Sequence, residues 1–444
     1  MNIFGTDGIR GKANEGYITP ENAMKLAVSV VNHYSAKGHK TVNNKFTVII
    51  GKDTRLSGYM LEPALTSGFI AAGADVVLTG PIPTPAVAFM TRSLRADLGV
   101  VISASHNPYY DNGIKFFNSD GFKISQNDEI AISQKFNEKS KLTSTEFMGK
   151  AKRLDDATGR YVEFVKSSFP KDLGLSGLKI ALDTANGAAY KIAPQVFWEL
   201  GAEIVQIGDK PDGLNINHNC GATHTELLQK TVIENKADIG IALDGDADRL
   251  IVVDEKGEIV DGDFLIAAIA TFWKSLGKLK GENVVATKMS NLAMERYLNS
   301  IGLKLERSDV GDKYVIQKML EIGANIGGEK SGHIIPIDYS STGDGCISAL
   351  QILAFLQREQ KKTSEIRKLY KPYPQLMINV PKIIDLNDVE ISHCINRIEN
   401  EILGKRGRII VRKSGTEPIT RIMIESELES GINSAMTCLK QIVR

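Results

Sequence analysis

The stretch Leu98-Gly-Val-Val-Ile-Ser-Ala-Ser-His-Asn-Pro108 joins a short apolar run to a polar one. Its first five residues have the length and β-branched content of a buried strand. Asn107-Pro108 favours a turn, and Asn112-Gly113 favours another before a strand-like run at 114–117. Ser105 is therefore predicted on a loop at the carboxyl end of a strand, the edge where ligands bind to α/β sheets. The alternative is a polar turn whose serines only satisfy backbone groups.

Length and composition limit the class of protein. A chain of 444 residues is expected to divide into three or four domains. A net charge of +1 gives no overall field that would attract nucleic acid or an anionic membrane. Four scattered cysteines without a C-x-x-C pair argue against a disulfide framework or a zinc site, and indicate isolated thiols in a reducing compartment. Because no signal peptide and no membrane span is recognisable, we expect a cytoplasmic protein.

Strand and helix patterns alternate along most of the chain, which predicts βαβ units and mostly parallel sheets. A helix that ends at glycine before a short strand occurs three times, at Gly73, Gly201 and Gly302. This repeat supports three similar α/β domains with mixed, mostly parallel sheets. A smaller α+β domain follows a linker that contains prolines. The predicted domains are residues 1–154, 155–255, 256–370 and 371–444.

A loop rich in aspartate, the metal loop (residues 243–249), lies between two apolar strand-like runs. Its three carboxylates at alternate positions repel one another unless a cation holds them, and hard oxygen ligands select magnesium, manganese or calcium. An EF-hand is excluded, because Arg249 stands where the calcium loop needs glycine. We predict a magnesium site that a phosphate completes, with three solvated turn aspartates as the alternative. The predicted ligands are Asp244, Asp246 and Asp248.

Two further loops combine glycine with polar side chains. The sugar loop, Gly327-Gly-Glu-Lys-Ser-Gly-His333, is suited to close on a polyol and bind its hydroxyl groups, although a surface turn is a fair alternative. The phosphate loop, Arg412-Lys-Ser-Gly-Thr-Glu-Pro418, places two cations and two hydroxyls around a glycine, as in a phosphate-binding site. The early segment Phe4-Gly-Thr-Asp-Gly-Ile-Arg-Gly11 suits a backbone that approaches a ligand closely.

Taken together, these motifs resemble the α-D-phosphohexomutase superfamily, and within it the members that act on glucosamine phosphates. The resemblance covers the whole chain, because the motifs occur in the family's order from the amino terminus into the last domain. The residues that carry it are Phe4–Gly11, Ser103–Phe117, Asp244–Arg249, Val310–Val315, Gly328–His333 and Arg412–Pro418.

The resemblance implies four domains around a central cleft and one bound Mg²⁺ ion. It implies interconversion of glucosamine 6-phosphate and glucosamine 1-phosphate, with glucosamine 1,6-bisphosphate as intermediate or activator. Ser105 matches the phosphoserine and also a metal ligand, together with Asp244, Asp246 and Asp248. The resemblance assigns His106, Lys115 and Arg249 to the transfer of the phosphoryl group. It assigns substrate contacts to Arg10, Glu329, Ser331, Arg412, Ser414 and Thr416.

Two positions depart from the family's pattern. Lys330 stands where an uncharged amide is common, and Lys313 where arginine is usual. The chief rival functions are a neutral-hexose mutase, a phosphatase that hydrolyses the phosphoserine, and a sugar-phosphate sensor without catalysis. The expected partner is a small sugar phosphate, with no nucleic acid and no membrane. A homodimer, and a kinase or self-phosphorylation as the first source of the Ser105 phosphate, are left open.

Overall fold

The structure is a computed structural model that describes residues 2–38, 45–385, 387–413 and 419–440. Six strands form a mixed sheet in the first domain: β1 (Ile9–Lys12), β2 (Thr47–Lys52), β3 (Asp75–Pro81), β4 (Leu98–Ile102), β5 (Asp111–Asn118) and β6 (Ala151–Arg153). The helices here are α1 (Pro20–Ala36), α2 (Gly58–Ala71), α3 (Thr84–Ser93) and α4 (Gln126–Phe136). The strand order is β1-β5-β4-β2-β3-β6, and β5 is antiparallel to both of its neighbours.

The second domain repeats this plan with five strands. They are β7 (Lys179–Asp183), β8 (Glu203–Ile207), β9 (Ile239–Leu243), β10 (Leu250–Asp254) and β11 (Ile259–Val260), and the helices are α5 (Ala157–Ser167), α6 (Ile192–Glu199) and α7 (Glu226–Asn235). The order is β11-β10-β9-β7-β8, with β10 antiparallel to β9 and β11. Because β11 pairs with β10, this sheet extends past residue 255, which favours a domain junction after Val260.

The third domain has four strands, β12 (Asn283–Thr287), β13 (Lys304–Ser308), β14 (Ile326–Gly328) and β15 (Ile334–Pro336). Its helices are α8 (Gly262–Ser275), α9 (Leu292–Ser300), α10 (Asp312–Ile322) and α11 (Gly345–Glu359). The order is β13-β12-β14-β15, and only the last strand of this sheet runs antiparallel to its neighbour. A short 3₁₀ helix, Thr363–Lys368, follows α11.

The fourth domain is smaller and its sheet is wholly antiparallel, in the order β16-β18-β17. Its elements are β16 (Gln375–Val380), α12 (Val389–Arg397), β17 (Gly407–Lys413), β18 (Thr420–Ser426) and α13 (Glu429–Leu439). A π-helical turn, Ile398–Leu403, continues α12. The predicted series of three similar α/β domains and one smaller α+β domain is therefore confirmed.

The first three domains place their predicted functional loops at equivalent positions. In each, the loop leaves the carboxyl end of a strand and returns as an antiparallel neighbour: β4 to β5, β9 to β10, and β14 to β15. The predicted glycines at the helix ends are also equivalent, since φ is +96° at Gly73, +103° at Gly201 and +73° at Gly302. These left-handed values are ones that glycine adopts without strain.

One sequence prediction about this region is wrong. Asn112-Gly113 does not form a turn but lies inside β5. The Asn112 side chain donates to Ser57 Oγ at 2.7 Å and accepts from the N–H of Gly113 at 2.8 Å, so it is satisfied within the strand. A Cβ atom on Gly113 would approach the carbonyl oxygen of Ser103 at 2.6 Å. Glycine at this position therefore serves close strand packing.

One apolar core runs through the first three domains, each of which also has a smaller cluster of its own, and the fourth domain has a separate core. Phe89 of α3 stacks on Phe164 of α5 with 4.0 Å between ring centroids, which joins the first domain to the second. The core of the fourth domain, around Ile398 and Ile424, is separate from it. None of the helices in the described part of the chain has the length and apolar content needed to span a bilayer.

Candidate active site

Ser105 lies in the turn after β4, and its backbone has a left-handed conformation with φ of +51°. This conformation is uncommon outside glycine. The N–H of Ser105 donates to Ser103 Oγ at 2.9 Å. The buried Ser105 Oγ donates to Asp244 Oδ2 at 2.6 Å and lies 3.3 Å from Nδ1 of His106. The hydroxyl of the first domain thus contacts a carboxylate of the second.

The buried side chain of Arg55 fixes the shape of this turn. Its guanidinium donates to four carbonyl oxygens of the turn, those of Ser105, Asn107, Pro108 and Asp111. Arg55 Nε donates to Asp53 Oδ2 at 2.8 Å, and the same oxygen accepts from Ser103 Oγ at 2.7 Å. Arg55 was not predicted as a site residue, although its position just after β2, the strand beside β4, was a usable signal.

Further contacts join the Ser105 turn and α3 to the second domain. Asn217 Nδ2 donates to the carbonyl oxygen of Ser105 at 2.9 Å, and Thr84 Oγ1 donates to Asp246 Oδ2 at 2.6 Å. A Cβ atom on Gly245 would approach the Ser105 carbonyl oxygen at 2.6 Å. The glycine of the metal loop therefore permits the two loops to pack this closely.

The three aspartates of the metal loop converge as predicted. Each offers a carboxylate oxygen, these oxygens lie within 4.8 Å of one another, and all three side chains are buried. Burial, followed by repulsion from Asp248 and Asp246, raises the pKa of Asp244 to about 8. Such a cluster is costly without a cation, because like charges at close range disfavour each other's ionisation.

A buried lysine stands against this cluster. Lys115 Nζ of β5 lies 2.9 Å from Asp246 Oδ2, 3.5 Å from Asp248 Oδ2 and 3.2 Å from Asp7 Oδ2. Burial opposes its charge, yet attraction to Asp246, Asp7 and Asp248 raises the pKa of Lys115 above its usual value. Lys115 is therefore charged and sits among the metal-loop carboxylates.

Two predicted arginines and His106 complete the surroundings of Ser105. Arg10 Nη1 donates to the carbonyl oxygen of Ala104 at 3.4 Å, and Arg249 Nε lies 4.0 Å from Asp248 Oδ1. The Nε atoms of both arginines are buried without a hydrogen-bond partner among the described residues. Burial, together with the charges of Arg249 and Arg10, lowers the pKa of His106 to about 4. These guanidinium groups have donors to spare for an anionic ligand.

The sugar loop packs onto the metal loop. The N–H of Leu250 donates to the carbonyl oxygen of Gly332 at 2.9 Å, and His333 Nδ1 lies 3.5 Å from Asp248 Oδ1. Burial raises the pKa of Glu329, whereas Ser331 is exposed. His333 belongs to the quoted sugar-loop motif but was not predicted individually as a site residue.

A bridge from the first domain to the third was also missed. Lys123 Nζ donates to Asp7 Oδ1 and to Asp312 Oδ2, so one ammonium group joins residues of both domains. Asp312 Oδ2 lies 3.8 Å from His333 Nε2. Asp7 and Asp312 belong to the quoted motifs, but nothing in the sequence around Lys123 indicated that it would pair with them.

The described part of the phosphate loop ends at Lys413, so Ser414 and Thr416 lie outside the described residues. Arg412 of β17 stands opposite Arg421 of β18 in the register of the sheet. Burial and the charge of Arg421 lower the pKa of Arg412. Arg412 Nε is buried without a hydrogen-bond partner among the described residues. An anion bound here would relieve the repulsion between like charges on facing strands.

The structure brings most of the predicted residues into one cluster. The members of this cluster are Arg10, Ser105, His106, Lys115, Asp244, Asp246, Asp248 and Arg249. Glu329 lies near it, because the charges of His333 and Arg249 affect the pKa of Glu329. Arg412 lies in the separate fourth domain. The grouping is one in which a serine, carboxylates and cations could act on the same phosphoryl group.

Sequence models of four domains of the phosphoglucomutase/phosphomannomutase family match the chain in order, and the last two matched ranges overlap. The α/β/α domain I model matches residues 1–143, domain II 159–257 and domain III 261–373. The C-terminal domain model matches residues 357–434. The family's four-domain order therefore extends along nearly the whole chain.

Similar proteins also match over their full length. The chain is 51% identical to a phosphoglucosamine mutase of Paramagnetospirillum magneticum over 451 residues, covering 100% of this chain and 98% of the relative. It is 53% identical to a phosphoglucosamine mutase of Allorhizobium ampelinum over 445 residues, covering 99% and 97%. A crystal structure of a phosphoglucomutase/phosphomannomutase family protein from Burkholderia thailandensis has a TM-score of 0.82 and 25% identity, covering 99% and 96%. The chain thus belongs to the phosphoglucomutase/phosphomannomutase family and is an enzyme of the mutase class.

Proposed function

We propose that this mutase interconverts glucosamine 6-phosphate and glucosamine 1-phosphate. Ser105 carries the phosphoryl group, and glucosamine 1,6-bisphosphate is the intermediate. The observation that carries the proposal is the 2.6 Å hydrogen bond from Ser105 Oγ to Asp244 Oδ2, which puts a hydroxyl nucleophile against a cluster of three carboxylates. The choice of sugar rests on relatives, named phosphoglucosamine mutase, that are 51% and 53% identical.

The carboxylate cluster fits one Mg²⁺ ion. Asp246 Oδ1 and Asp248 Oδ1 are buried without a hydrogen-bond partner among the described residues, and oxygen atoms are the donors that this ion prefers. The residues that would hold it are Asp244, Asp246, Asp248 and the phosphorylated Ser105. When bound, the ion supplies positive charge that offsets the charge on the phosphoryl oxygens.

The first half-reaction moves the phosphoryl group to the sugar. The free sugar hydroxyl attacks the phosphorus of phosphorylated Ser105, so that a sugar O–P bond forms as the Oγ–P bond breaks, and the departing Ser105 Oγ takes up a proton from solvent. We assign the hydroxyl proton to Glu329, because burial raises its pKa and so suits it to accept a proton and return it. Lys115, Arg249, Arg10 and His106 surround the phosphoryl group with charge and donors.

The second half-reaction uses the same residues in reverse. The bisphosphate turns round, and Ser105 Oγ attacks its other phosphorus and loses its proton to solvent. Phosphorylated Ser105 is restored as the isomeric monophosphate leaves with the proton that Glu329 returns to its oxygen. This turn exchanges the two phosphates, so the phosphate that does not react needs a site of its own. We assign that site to Arg412, Ser414 and Thr416, and contacts with the sugar hydroxyls to Glu329 and Ser331.

The proposed enzyme acts in the cytoplasm, and its partner is a small sugar phosphate. Neither a nucleic acid nor a membrane is a proposed partner. Either a kinase or the protein itself first phosphorylates Ser105, and a homodimer is compatible with the proposal. The proposed domains are residues 1–154, 155–260, 261–370 and 371–444. The second domain ends after Val260 and not at the predicted residue 255, because β11 belongs to the second sheet.

Phosphorus NMR of the purified, Mg²⁺-loaded protein tests the reaction. Given glucosamine, glucose or mannose 6-phosphate in turn, the protein should form the 1-phosphate, with the highest kcat/KM for the amino sugar. Intact mass should show a phosphorylated species that Ser105→Ala lacks, and that variant should be inactive. Release of inorganic phosphate without isomerisation would instead identify a phosphatase. Equal kcat/KM for the three sugars would refute the amino-sugar preference.

A further inference from the structure

Two of the four cysteines lie together in the fourth domain. Cys394 is in α12 and Cys438 is in α13, and their Sγ atoms are 2.8 Å apart. Both side chains are buried in the apolar core of that domain. Because the cysteines are scattered in the sequence, they were expected to be isolated thiols, and for this pair the expectation is wrong. The fold brings together residues that are 44 positions apart.

The two sulfur atoms are near enough to form a covalent bond after a small movement. A disulfide has an S–S length of about 2.0 Å, so the two sulfurs need to approach by only about 0.8 Å more. We propose that Cys394 and Cys438 are an oxidation site, at which a peroxide converts the two thiols into an intramolecular disulfide. This inference does not depend on the proposed sugar-phosphate chemistry.

The oxidation proceeds in two balanced steps. One cysteine sulfur attacks a peroxide oxygen, the O–O bond breaks, and a sulfenic acid and water form. The second thiol then attacks the sulfenic sulfur, the S–S bond forms, and a second water leaves. The two thiols together lose two electrons and two protons, and the peroxide is reduced to two waters. Burial and the neighbouring Cys438 sulfur raise the pKa of the Cys394 thiol to about 12, so the first step is expected to be slow at neutral pH.

The disulfide would join α12 to α13, the helices that precede and follow β17 and β18 in the chain. The loop it closes contains β17 and β18, and therefore Arg412 and the phosphate loop. A long closed loop restricts the unfolded chain, which stabilises the folded domain relative to it. The oxidised protein should therefore resist thermal unfolding of the fourth domain better than the reduced protein.

Peptide mapping of the full-length protein tests the proposal. The reduced protein is incubated with hydrogen peroxide, remaining thiols are alkylated under denaturing conditions, and the digest is analysed without reductant. We expect one cross-linked peptide joining Cys394 to Cys438, and an intact mass lower by two hydrogen atoms. Cys220 and Cys346, which are buried in other domains, should be recovered as alkylated thiols and serve as internal controls.

Variants and a melting measurement complete the test. Cys394→Ser and Cys438→Ser should each form no cross-link, and peroxide should not raise their melting midpoints. In the wild-type protein, peroxide should raise the midpoint, and a thiol reductant should restore the original value. Recovery of both Cys394 and Cys438 as free thiols or as sulfinic acids after peroxide treatment would overturn the proposal.

Discussion

The buried guanidinium of Arg55 makes four of the side-chain hydrogen bonds to the turn that carries the proposed nucleophile. Ser105 has a left-handed backbone conformation that its own side chain does not favour, so the turn must be held by other groups. Arg55 binds four carbonyl oxygens of this turn and a carboxylate beside it. Because lysine has no planar fork of donors, it can replace only part of this set. Arg55 is thus a positioning residue, because its hydrogen bonds go to the backbone of the turn and to Asp53.

Arg55→Lys should lower kcat by about ten- to a hundredfold, since each hydrogen bond to a charged group contributes about 1.5–3 kcal/mol and part of the set remains. KM should change little, because Arg55 contacts none of the residues assigned to the sugar. The control is Arg153→Lys, an exposed arginine in the same sheet. If kcat of Arg55→Lys equals that of the wild type while the protein stays folded, the shape of the Ser105 turn is not maintained by Arg55.

The buried carboxyl group of Asp344 makes the free energy of unfolding depend on pH. Asp344 caps α11 through the N–H of Ile347 and accepts from the Tyr161 hydroxyl at 2.6 Å. Burial raises its pKa from 3.8 to about 6. The native state therefore binds this proton more tightly than the unfolded state, and the contribution of Asp344 to stability falls as pH rises through the interval between those values.

Asp344→Asn should remove this dependence, because the amide keeps an acceptor for Ile347 but does not ionise. Between about pH 4 and pH 7, the free energy of unfolding of the variant should rise relative to the wild type by about 2 kcal/mol. Urea unfolding at several pH values measures the difference, and the exposed Asp155→Asn is the control. Parallel pH profiles for Asp344→Asn and the wild type would contradict the assigned proton.

At the scale of elements, the sequence patterns located strands and loops but not the contacts between them. Leu98–Ile102 forms a strand with the bounds its apolar run predicts, and glycines end the helices where the repeat predicts. The prediction of a turn at Asn112-Gly113 was wrong, because pairing of β5 with its neighbouring strands overrode the local turn preference. Lys123 and Arg55 were missed because their partners come from distant segments, which local patterns do not reveal. Proximity of the Ser105 turn and the metal loop was foreseen from chemistry and family resemblance.

The β17–β18 strand pair holds Arg412 opposite Arg421, at the start of the phosphate loop. Arg412→Ala should reduce kcat/KM by about ten- to a hundredfold, because it removes a charge-assisted hydrogen bond to the phosphate that does not react. Escape of the bisphosphate should also increase, which would appear as a new requirement for added bisphosphate. Arg397→Ala, on the exposed side of α12, is the matched control. Wild-type kcat/KM without an added bisphosphate requirement would remove Arg412 from the mechanism.

For the whole molecule, polar contacts connect the separate fourth domain to the sugar loop. Lys330 Nζ donates to Gln375 Oε1 at 2.8 Å, and Gln375 Nε2 donates to the buried Glu425 Oε1 at 3.0 Å. Glu425 also accepts from Arg408 Nε at 2.6 Å and from the N–H of Leu292 at 2.8 Å. A network that begins on the sugar loop therefore ends on β17, the strand that carries Arg412. We expect it to orient the fourth domain when a sugar is bound.

Lys330→Met should weaken this link, since it keeps most of the apolar stem but removes the donor to Gln375. The Lys330 side chain is 42% exposed, so we expect only a two- to tenfold loss in kcat/KM, about that of one ordinary hydrogen bond, with more bisphosphate escaping per turnover. Lys330→Gln should recover much of the loss, because its amide also donates. Lys304→Met, at an exposed position of β13, controls for the loss of a lysine. Equal kcat/KM and equal escape for Lys330→Met and wild type would mean that the fourth domain orients itself independently of the sugar loop.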